Sequence, residues 1–196
     1  MTALAGLVIV ETAERVAGEF AARLLADFGA EVIKIERPGG APTRAMGPFH
    51  EGQSTLFRYL NSNKKSVQLD LEAPQDRALL DRLLARADAL IDDHGPDWAA
   101  QHGLALGSQP DIVHCAITPF GQDAPPHWQI ARPINVMNAG GWAWHTPSES
   151  APDRPPLMGA GRFMSDYEAG LEAALCTAAS LLRKRRTGMG QAIDIS

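Results

Sequence analysis

Residues 6–36 of the chain are GLVIVETAERVAGEFAARLLADFGAEVIKIE, and their pattern indicates the class of fold. Its first five residues are apolar and mostly β-branched, which predicts a short buried strand. Between residues 13 and 28 apolar side chains recur at every fourth position, as on one face of a helix, and they are Val16, Phe20, Leu24 and Phe28. Gly29 ends this helix, and EVIKIE (31–36) predicts a second strand. A strand–helix–strand unit of this length favours a parallel sheet.

The same alternation continues along the chain on both sides of a few loops. Further strands are predicted at 65–71, 89–93 and 111–118, and further helices at 73–87 and 96–103. Such alternation indicates the α/β class, with an open, mostly parallel sheet and helices on both faces. Residues 191–196 also have strand character, so we expect residues 1–196 to form a single domain that is the amino-terminal portion of a truncated fold.

Residues 119–161 differ from the rest of the chain. They are rich in proline and glycine, contain three tryptophans and show no clear hydrophobic period. A long irregular segment is therefore predicted here, and segments of this kind in compact domains often carry function or cover another surface.

Composition narrows the classes of partner. Hydrophobic residues make up 45% and charged residues 21% of the chain, with a formal net charge of −5, which is unlike a nucleic-acid-binding protein. No apolar run approaches the ~18 residues of a membrane span, and Met1 leads into ALAGLVIV without a basic segment. Cys115 and Cys176 fall in apolar segments and are interpreted as buried thiols. We therefore expect a cytoplasmic protein with no nucleic acid or membrane partner.

Several familiar sites have no motif in this chain. The turn after the first strand lacks G-x-G-x-x-G, and no P-loop or G-x-S-x-G sequence is present. The histidines are scattered without metal-ligand spacing, so no metal is expected.

The last predicted helix begins with an acidic cluster. Ser165, Asp166, Tyr167 and Glu168 fit a capping box in which Ser165 is the N-cap and Glu168 lies three residues later. Its apolar face would consist of Tyr167, Leu171, Ala174, Leu175, Ala178, Leu181 and Leu182. Basic residues and Gly188 close the helix. In this interpretation Asp166 is an acid at the first helical position, stabilised by the helix dipole.

Taken together, these segments resemble the class III CoA-transferases, the family of formyl-CoA transferase, carnitine CoA-transferase and 2-methylacyl-CoA racemase. The resemblance is carried in order by LLADFGAEVIKIERPGG (24–40), NSNKKSVQLDL (61–71), TPFGQ (118–122) and RKRRTGMGQAIDIS (183–196). Because members are about twice this length, the resemblance implies an amino-terminal half with a Rossmann-like fold. It also implies either an interlocked homodimer or pairing with a second family domain.

The resemblance assigns chemistry to Asp166. In the family, an aspartate at this position attacks an acyl-CoA thioester, and CoA passes through a covalent aspartyl intermediate to a carboxylic acid. The implied substrates are therefore an acyl-CoA and a carboxylic acid, with coenzyme A as the transferred group. A helix N-terminus would favour the ionised, attacking form of the carboxylate.

Positions matching the family's CoA contacts are Val16, Ala17, Arg37, Leu69, Asp93, His94 and Gly95. Several positions depart from the family pattern: Glu19 replaces a proline, Asp93-His94 replaces Asn-Phe, Glu72 replaces a lysine and Gln101 replaces an arginine. Losing cations and gaining acids near a polyanionic ligand predicts weaker CoA binding. The alternative function is therefore a non-catalytic family member or half-domain that binds CoA weakly and pairs with an active partner.

The racemase branch of the family uses a histidine for proton transfer, and the corresponding position here is Arg132. Arginine does not act as a base at neutral pH, so racemisation is not expected.

Overall fold

A computed structural model of the chain describes residues 2–142, residue 153 and residues 161–196. Six strands form one sheet, and its five pairings are all parallel. In sheet order the strands are β5 (Lys65–Gln68), β2 (Glu31–Glu36), β1 (Val8–Glu11), β6 (Ala89–Asp92), β7 (Val113–Ile117) and β8 (Gln191–Ile195). The predicted α/β class with a mostly parallel open sheet is confirmed. A small antiparallel hairpin, β3 (Phe49–His50) with β4 (Gln53–Ser54), lies outside this sheet.

The helices connect the strands and cover the sheet. They are α1 (Val16–Asp27), α2 (Thr55–Leu60), α3 (Pro74–Leu84), α4 (Pro96–Gln101), α5 (Pro133–Ala139) and α6 (Met164–Thr187). Among the described residues, no helix is both long and apolar enough to cross a membrane.

Alternation along each strand divides the core into two layers. Ile9 of β1, Ile91 of β6 and Cys115 of β7 point to the face that α1 and α6 cover. Their neighbours in the sequence, such as Val10 and Leu90, point to the face covered by α3 and α4. Strands that are buried on both faces carry nearly continuous apolar residues, and this explains the mostly apolar sequences of β1 and β6.

The helix α6 lies directly against α1 because small residues face the contact. A Cβ atom at Gly170 would stand 2.6 Å from the carbonyl oxygen of Ala17, so only glycine allows this approach. The buried residues of α6 are Gly170, Ala173, Ala174, Thr177, Ser180 and Leu181. The apolar face predicted for this helix was therefore partly wrong: Leu171, Leu175 and Leu182 are more than half exposed. Small residues, and not the leucines, set how closely the two helices pack.

The start of α6 also corrects the predicted cap. The helix begins at Met164 after Phe163, and no side chain caps it. Ser165 is already helical, so its hydroxyl is not in the N-cap position, and Glu168 lies beyond the first turn. Asp166 is consequently the third helical residue and not the first. It remains the acidic side chain of the first turn.

The end of α6 matches the sequence pattern TGMGQ (187–191). Gly188 has φ of 74° and ends the helix in the left-handed region. A Cβ at Gly190 would meet the carbonyl oxygen of Ile112 at 2.2 Å, so this glycine lets the chain enter β8 beside β7.

The segment 119–161 is not entirely irregular. It contains a 3₁₀ turn at Pro126–Trp128 and the helix α5. Residues 143–152 and 154–160, including most of the tryptophan-rich stretch 140–150, lie outside the described residues.

Candidate active site

Asp166 borders a cavity of about 490 Å³ at the carboxyl edge of the sheet. The loops that follow β1, β6 and β7 meet there with the first turns of α5 and α6. Ligands of open parallel sheets bind at this edge because loops from neighbouring strands converge on it. Six predicted site residues line this cavity together: Val16, Ala17, Asp93, His94, Gly95 and Asp166.

The Asp166 carboxyl is partly withdrawn from solvent. Burial raises its pKa to about 6, against smaller opposing effects of its own backbone N–H and the charge of Arg15. Its Oδ2 atom is buried and has no hydrogen-bond partner among the described residues. An unpartnered carboxylate oxygen on a cavity wall is available to a bound molecule, and at pH 7 about nine in ten such groups are ionised.

Asp93 organises the loop between β1 and α1. Its Oδ1 accepts the N–H of Glu14 at 2.8 Å, and its Oδ2 accepts the N–H of Arg15 at 2.8 Å. Burial raises the pKa of Asp93 to about 6. A Cβ at Gly18 would collide with this carboxylate, so the glycine makes room for it. Asp93 thus borders the cavity while its oxygens are bound to the loop; its contact with CoA stays a prediction.

A second cavity of about 310 Å³ adjoins the first, sharing Glu14 and His94. It contains the remaining predicted CoA residues, Arg37 and Leu69. Arg37 is exposed and lies 3.4 Å from the Glu14 carboxylate, whereas Leu69 is buried in the wall. All seven predicted CoA contacts therefore border one of two adjoining cavities, although sequence reasoning placed them on four separate segments.

His94 lies where the two cavities meet and carries a positive charge. Burial alone would lower its pKa, but the hydrogen bond to Asp92 and the Glu14 carboxylate 3.9 Å away outweigh burial and raise the pKa to about 9. Its Nδ1 is 2.7 Å from Asp92 Oδ1. The ring stacks on Trp98, with centroids 3.6 Å apart, and Trp98 stacks in turn on His102. His94 therefore places a cation between the two cavities. The sequence analysis did not predict this charge, because it counted the lost cations and the gained acids without considering the pKa of His94.

The departures from the family pattern have different surroundings. Glu19 is fully buried and contacts Lys34, so it is not an acid facing the ligand. Glu72 borders the second cavity and lies 3.2 Å from His102. Gln101 is exposed on α4 and does not border either cavity. Glu72 is therefore the acid, among those that replace family residues, whose side chain is exposed at the second cavity.

Sequence reasoning missed two groups of cavity residues. Arg15 and Glu14 line the first cavity from the loop before α1, and their only sequence signal was position beside the matched Val16. Trp98 of α4 and His102, the residue that follows α4, line the second cavity at the i, i+4 spacing of one helix face. Within the described residues, no three His, Cys, Asp or Glu side chains form a metal-binding group.

Comparisons with known proteins identify the family of this chain. Residues 4–196 match the model of the family described as CoA-transferase family III. The succinate–glutarate CoA-transferase of Agrobacterium fabrum is 35% identical, over 98% of this chain and 50% of that protein. The succinyl-CoA–D-citramalate CoA-transferase of Chloroflexus aurantiacus is 34% identical, over 95% of this chain and 47% of that protein.

Among solved structures, a CAIB/BAIF family protein from Brucella suis matches with a TM-score of 0.87 and 32% identity. The match covers 100% of this chain and 53% of that one. The chain thus spans about half the length of the relatives it matches. With the family model covering nearly every residue, the chain belongs to CoA-transferase family III.

Proposed function

We propose that the whole protein transfers CoA from an acyl-CoA to a carboxylic acid through a covalent intermediate on Asp166. The observation that carries this proposal is the buried, unpartnered Oδ2 of Asp166 on the wall of the larger cavity. Val16, Ala17 and Gly95, which match CoA-binding positions of the family, line the same cavity. A nucleophile and the expected path of its thioester substrate are therefore neighbours.

The proposed reaction exchanges carboxylate and thiolate in balanced steps. An Asp166 oxygen attacks the thioester carbonyl, the C–S bond breaks, and CoA leaves as a thiolate with the bonding electrons. The thiolate then attacks the aspartyl carbonyl of the mixed anhydride, which releases the donor acid as a carboxylate. The acceptor carboxylate attacks the resulting aspartyl-CoA thioester, and the displaced thiolate attacks the new acyl group. Asp166 returns to its carboxylate form without net proton transfer.

The pKa of Asp166 is compatible with this role. A value of about 6 leaves most of the carboxylate ionised at neutral pH, while weak solvation keeps it reactive. The named relatives act on succinate, glutarate and D-citramalate, which are dicarboxylic acids. We propose dicarboxylic acids as the substrate class here.

Trapping the intermediate tests the proposal. The whole protein is incubated with acyl-CoA and hydroxylamine, which converts an activated aspartyl group into a hydroxamate that peptide mass spectrometry locates. We expect the label on Asp166 and none in Asp166→Asn, whose turnover falls by more than about a thousandfold. Glu168→Gln, an exposed acid two residues away, is the matched control and should keep both label and turnover.

Two results would contradict this assignment. Turnover that survives in Asp166→Asn would exclude Asp166 as the nucleophile. A wild-type protein that binds CoA weakly and shows neither label nor turnover would favour the alternative, a non-catalytic member that pairs with an active partner.

We infer in addition that the protein forms a homodimer, one of the two associations that the family resemblance implies beside pairing with a second family domain, with the cytoplasm as its expected location. The exposed Leu171, Leu175 and Leu182 on α6 support an association, because apolar side chains grouped on one face favour burial against another surface. Light scattering of the whole protein at the mass of one chain would contradict the dimer.

A further inference from the structure

Two arginines lie in the Asp166 cavity without a carboxylate partner. Arg15 enters from the loop before α1, and Arg132 enters from the residue preceding α5. Both are exposed, and within the described residues neither has a carboxylate oxygen within 4.0 Å. Several other arginines of the chain, such as Arg44 and Arg77, do pair with nearby acids. The cavity therefore holds cationic groups that have no acidic partner in the described part of the chain.

Arg15 is held in place and is not a free surface side chain. Its backbone N–H donates to the buried Asp93 carboxylate, and its Nη2 donates to the carbonyl oxygen of Gln129 at 3.2 Å. Gln129 is itself buried and fixed by a bond from its Nε2 to the carbonyl oxygen of Gly121 at 2.8 Å. A guanidinium has five N–H donors, and this contact uses one of them. The others can serve a ligand.

Arg15 also influences the charge state of Asp166, the proposed nucleophile. Arg15 and Asp166 line the same cavity, and the charge of Arg15 is one of the influences that lower the pKa of Asp166. A substrate that carries a second carboxylate would be repelled by ionised Asp166 unless a cation near the nucleophile offsets that charge. Arg15 is a cation in this position, and the planar guanidinium matches a carboxylate in two parallel hydrogen bonds.

We propose that Arg15 binds the non-reacting carboxylate of a dicarboxylic substrate while the reacting carboxyl group faces Asp166, with Arg132 supplying a second positive charge to the same cavity. This assignment rests on the proposed CoA-transfer function and deepens it. It explains how one cavity accepts two carboxylates of the same molecule: one is placed at the nucleophile and the other at a fixed cation. Arg15 is thereby a specificity-determining residue.

The test compares two acceptors of equal length, succinate and butyrate, in the whole protein. Propionyl-CoA is the donor in both assays, so only the acceptor differs by a second carboxylate. Assays at pH 8.5 keep Asp166 ionised with or without Arg15. In Arg15→Gln we expect kcat/KM for succinate to fall about 10- to 100-fold, mainly through KM, the range for loss of a charge-assisted hydrogen bond. The value for butyrate should change less than about threefold.

Two further variants separate recognition from structure. Arg82→Gln on the exposed side of α3 is the matched control and should leave both acceptors unchanged. Arg15→Lys keeps the charge but loses the planar two-bond geometry, so the preference for succinate over butyrate should decrease without disappearing. This variant preserves the test if Arg15→Gln folds poorly.

The outcomes are distinguishable. Equal losses for succinate and butyrate, or an unchanged preference in both Arg15 variants, would overturn the assignment of Arg15. If hydroxylamine labelling of Asp166 persists in those variants alongside either result, the proposed transfer function is retained and the assignment of Arg15 is rejected. If the wild-type protein gives no label, the transfer function and the inference that rests on it both fail.

Discussion

The Asp166 carboxylate is a charged group that the fold solvates poorly. At the residue scale, two influences oppose each other there: a position in the first turn of α6 favours the ionised form, and burial favours the neutral form. Burial dominates, because the pKa is raised to about 6. The expectation that the helix terminus would control this group was therefore incomplete. A carboxylate kept ionised in this position costs folding free energy.

That cost predicts a pH-dependent stability difference for Asp166→Asn. The folded pKa of about 6 exceeds the reference value of 3.8, so the contribution of Asp166 to stability is complete below about pH 4 and is lost as the pH rises through 6. The neutral variant escapes this loss. At pH 8 we expect it to be more stable than wild type by on the order of 2 kcal/mol in urea denaturation.

The same comparison at pH 4 should show almost no difference between the two proteins. Glu168→Gln, as a control on the same helix, should match wild type at both pH values. A stability gain for Asp166→Asn that is equal at pH 4 and pH 8 would contradict a raised pKa in the folded state.

At the element scale, the crossing of α1 and α6 sets the geometry of the site. The first turn of α1 carries Val16 and Ala17, and the first turn of α6 carries Asp166. Gly170 of α6 lies directly against the backbone of Ala17 in α1, so the two helices approach closely at this point. Any change in this spacing moves Asp166, the proposed nucleophile, relative to the cavity wall formed by α1.

Gly170→Ala should therefore reduce both stability and activity. The added Cβ would stand 2.6 Å from the Ala17 carbonyl oxygen and 3.1 Å from Phe20 Cδ1, so the helices must separate. Overpacking of this kind costs about 1–3 kcal/mol, which thermal unfolding detects. Gly161→Ala is the matched control, since no described atom lies within 4 Å of its Cβ. Equal melting temperatures for the two variants would exclude the close helix contact.

At the scale of the whole molecule, a buried charge cluster joins segments that are distant in sequence. Lys34 on β2 lies 2.9 Å from Glu11 on β1 and 2.9 Å from Glu19 on α1. Lys64, before β5, lies 2.8 Å from the other oxygen of Glu11. Burial alone would lower the pKa of Lys34, but Glu11 and Glu19 outweigh it and raise that pKa. Thr43 adds a hydrogen bond to Glu19 at 2.8 Å.

Removing the central cation should be costly. Lys34→Met leaves two buried carboxylates, Glu11 and Glu19, with Lys64 as their remaining cation. Removing one partner of a buried ion pair typically costs about 3–5 kcal/mol of folding free energy. Lys65→Met on β5 removes an exposed pair with Glu31 and should cost less than about 1 kcal/mol. Urea denaturation of both variants measures the difference. Similar losses would mean that the cluster does not behave as a buried unit.

Local sequence patterns were sufficient to predict the order of the main strands and helices and the α/β class. β2 was predicted at its observed boundaries, and β1, β6, β7 and β8 within a few residues, because local periodicity and glycine or proline breaks set them. The resemblance to the family also predicted seven CoA-binding positions, and in the structure these positions line two adjoining cavities.

The surroundings of individual side chains could not be predicted from local patterns and depend on the folded arrangement. It buried Glu19 beside Lys34, exposed Leu171 and Leu175, and turned Asp93 into the loop that positions Arg15. Periodicity describes neighbours along the chain, whereas burial and charge pairing depend on groups brought together from distant segments. For the same reason, the shared cavity of Asp166 and Arg15 follows only from the meeting of the loops after β1 and β6 with the start of α6.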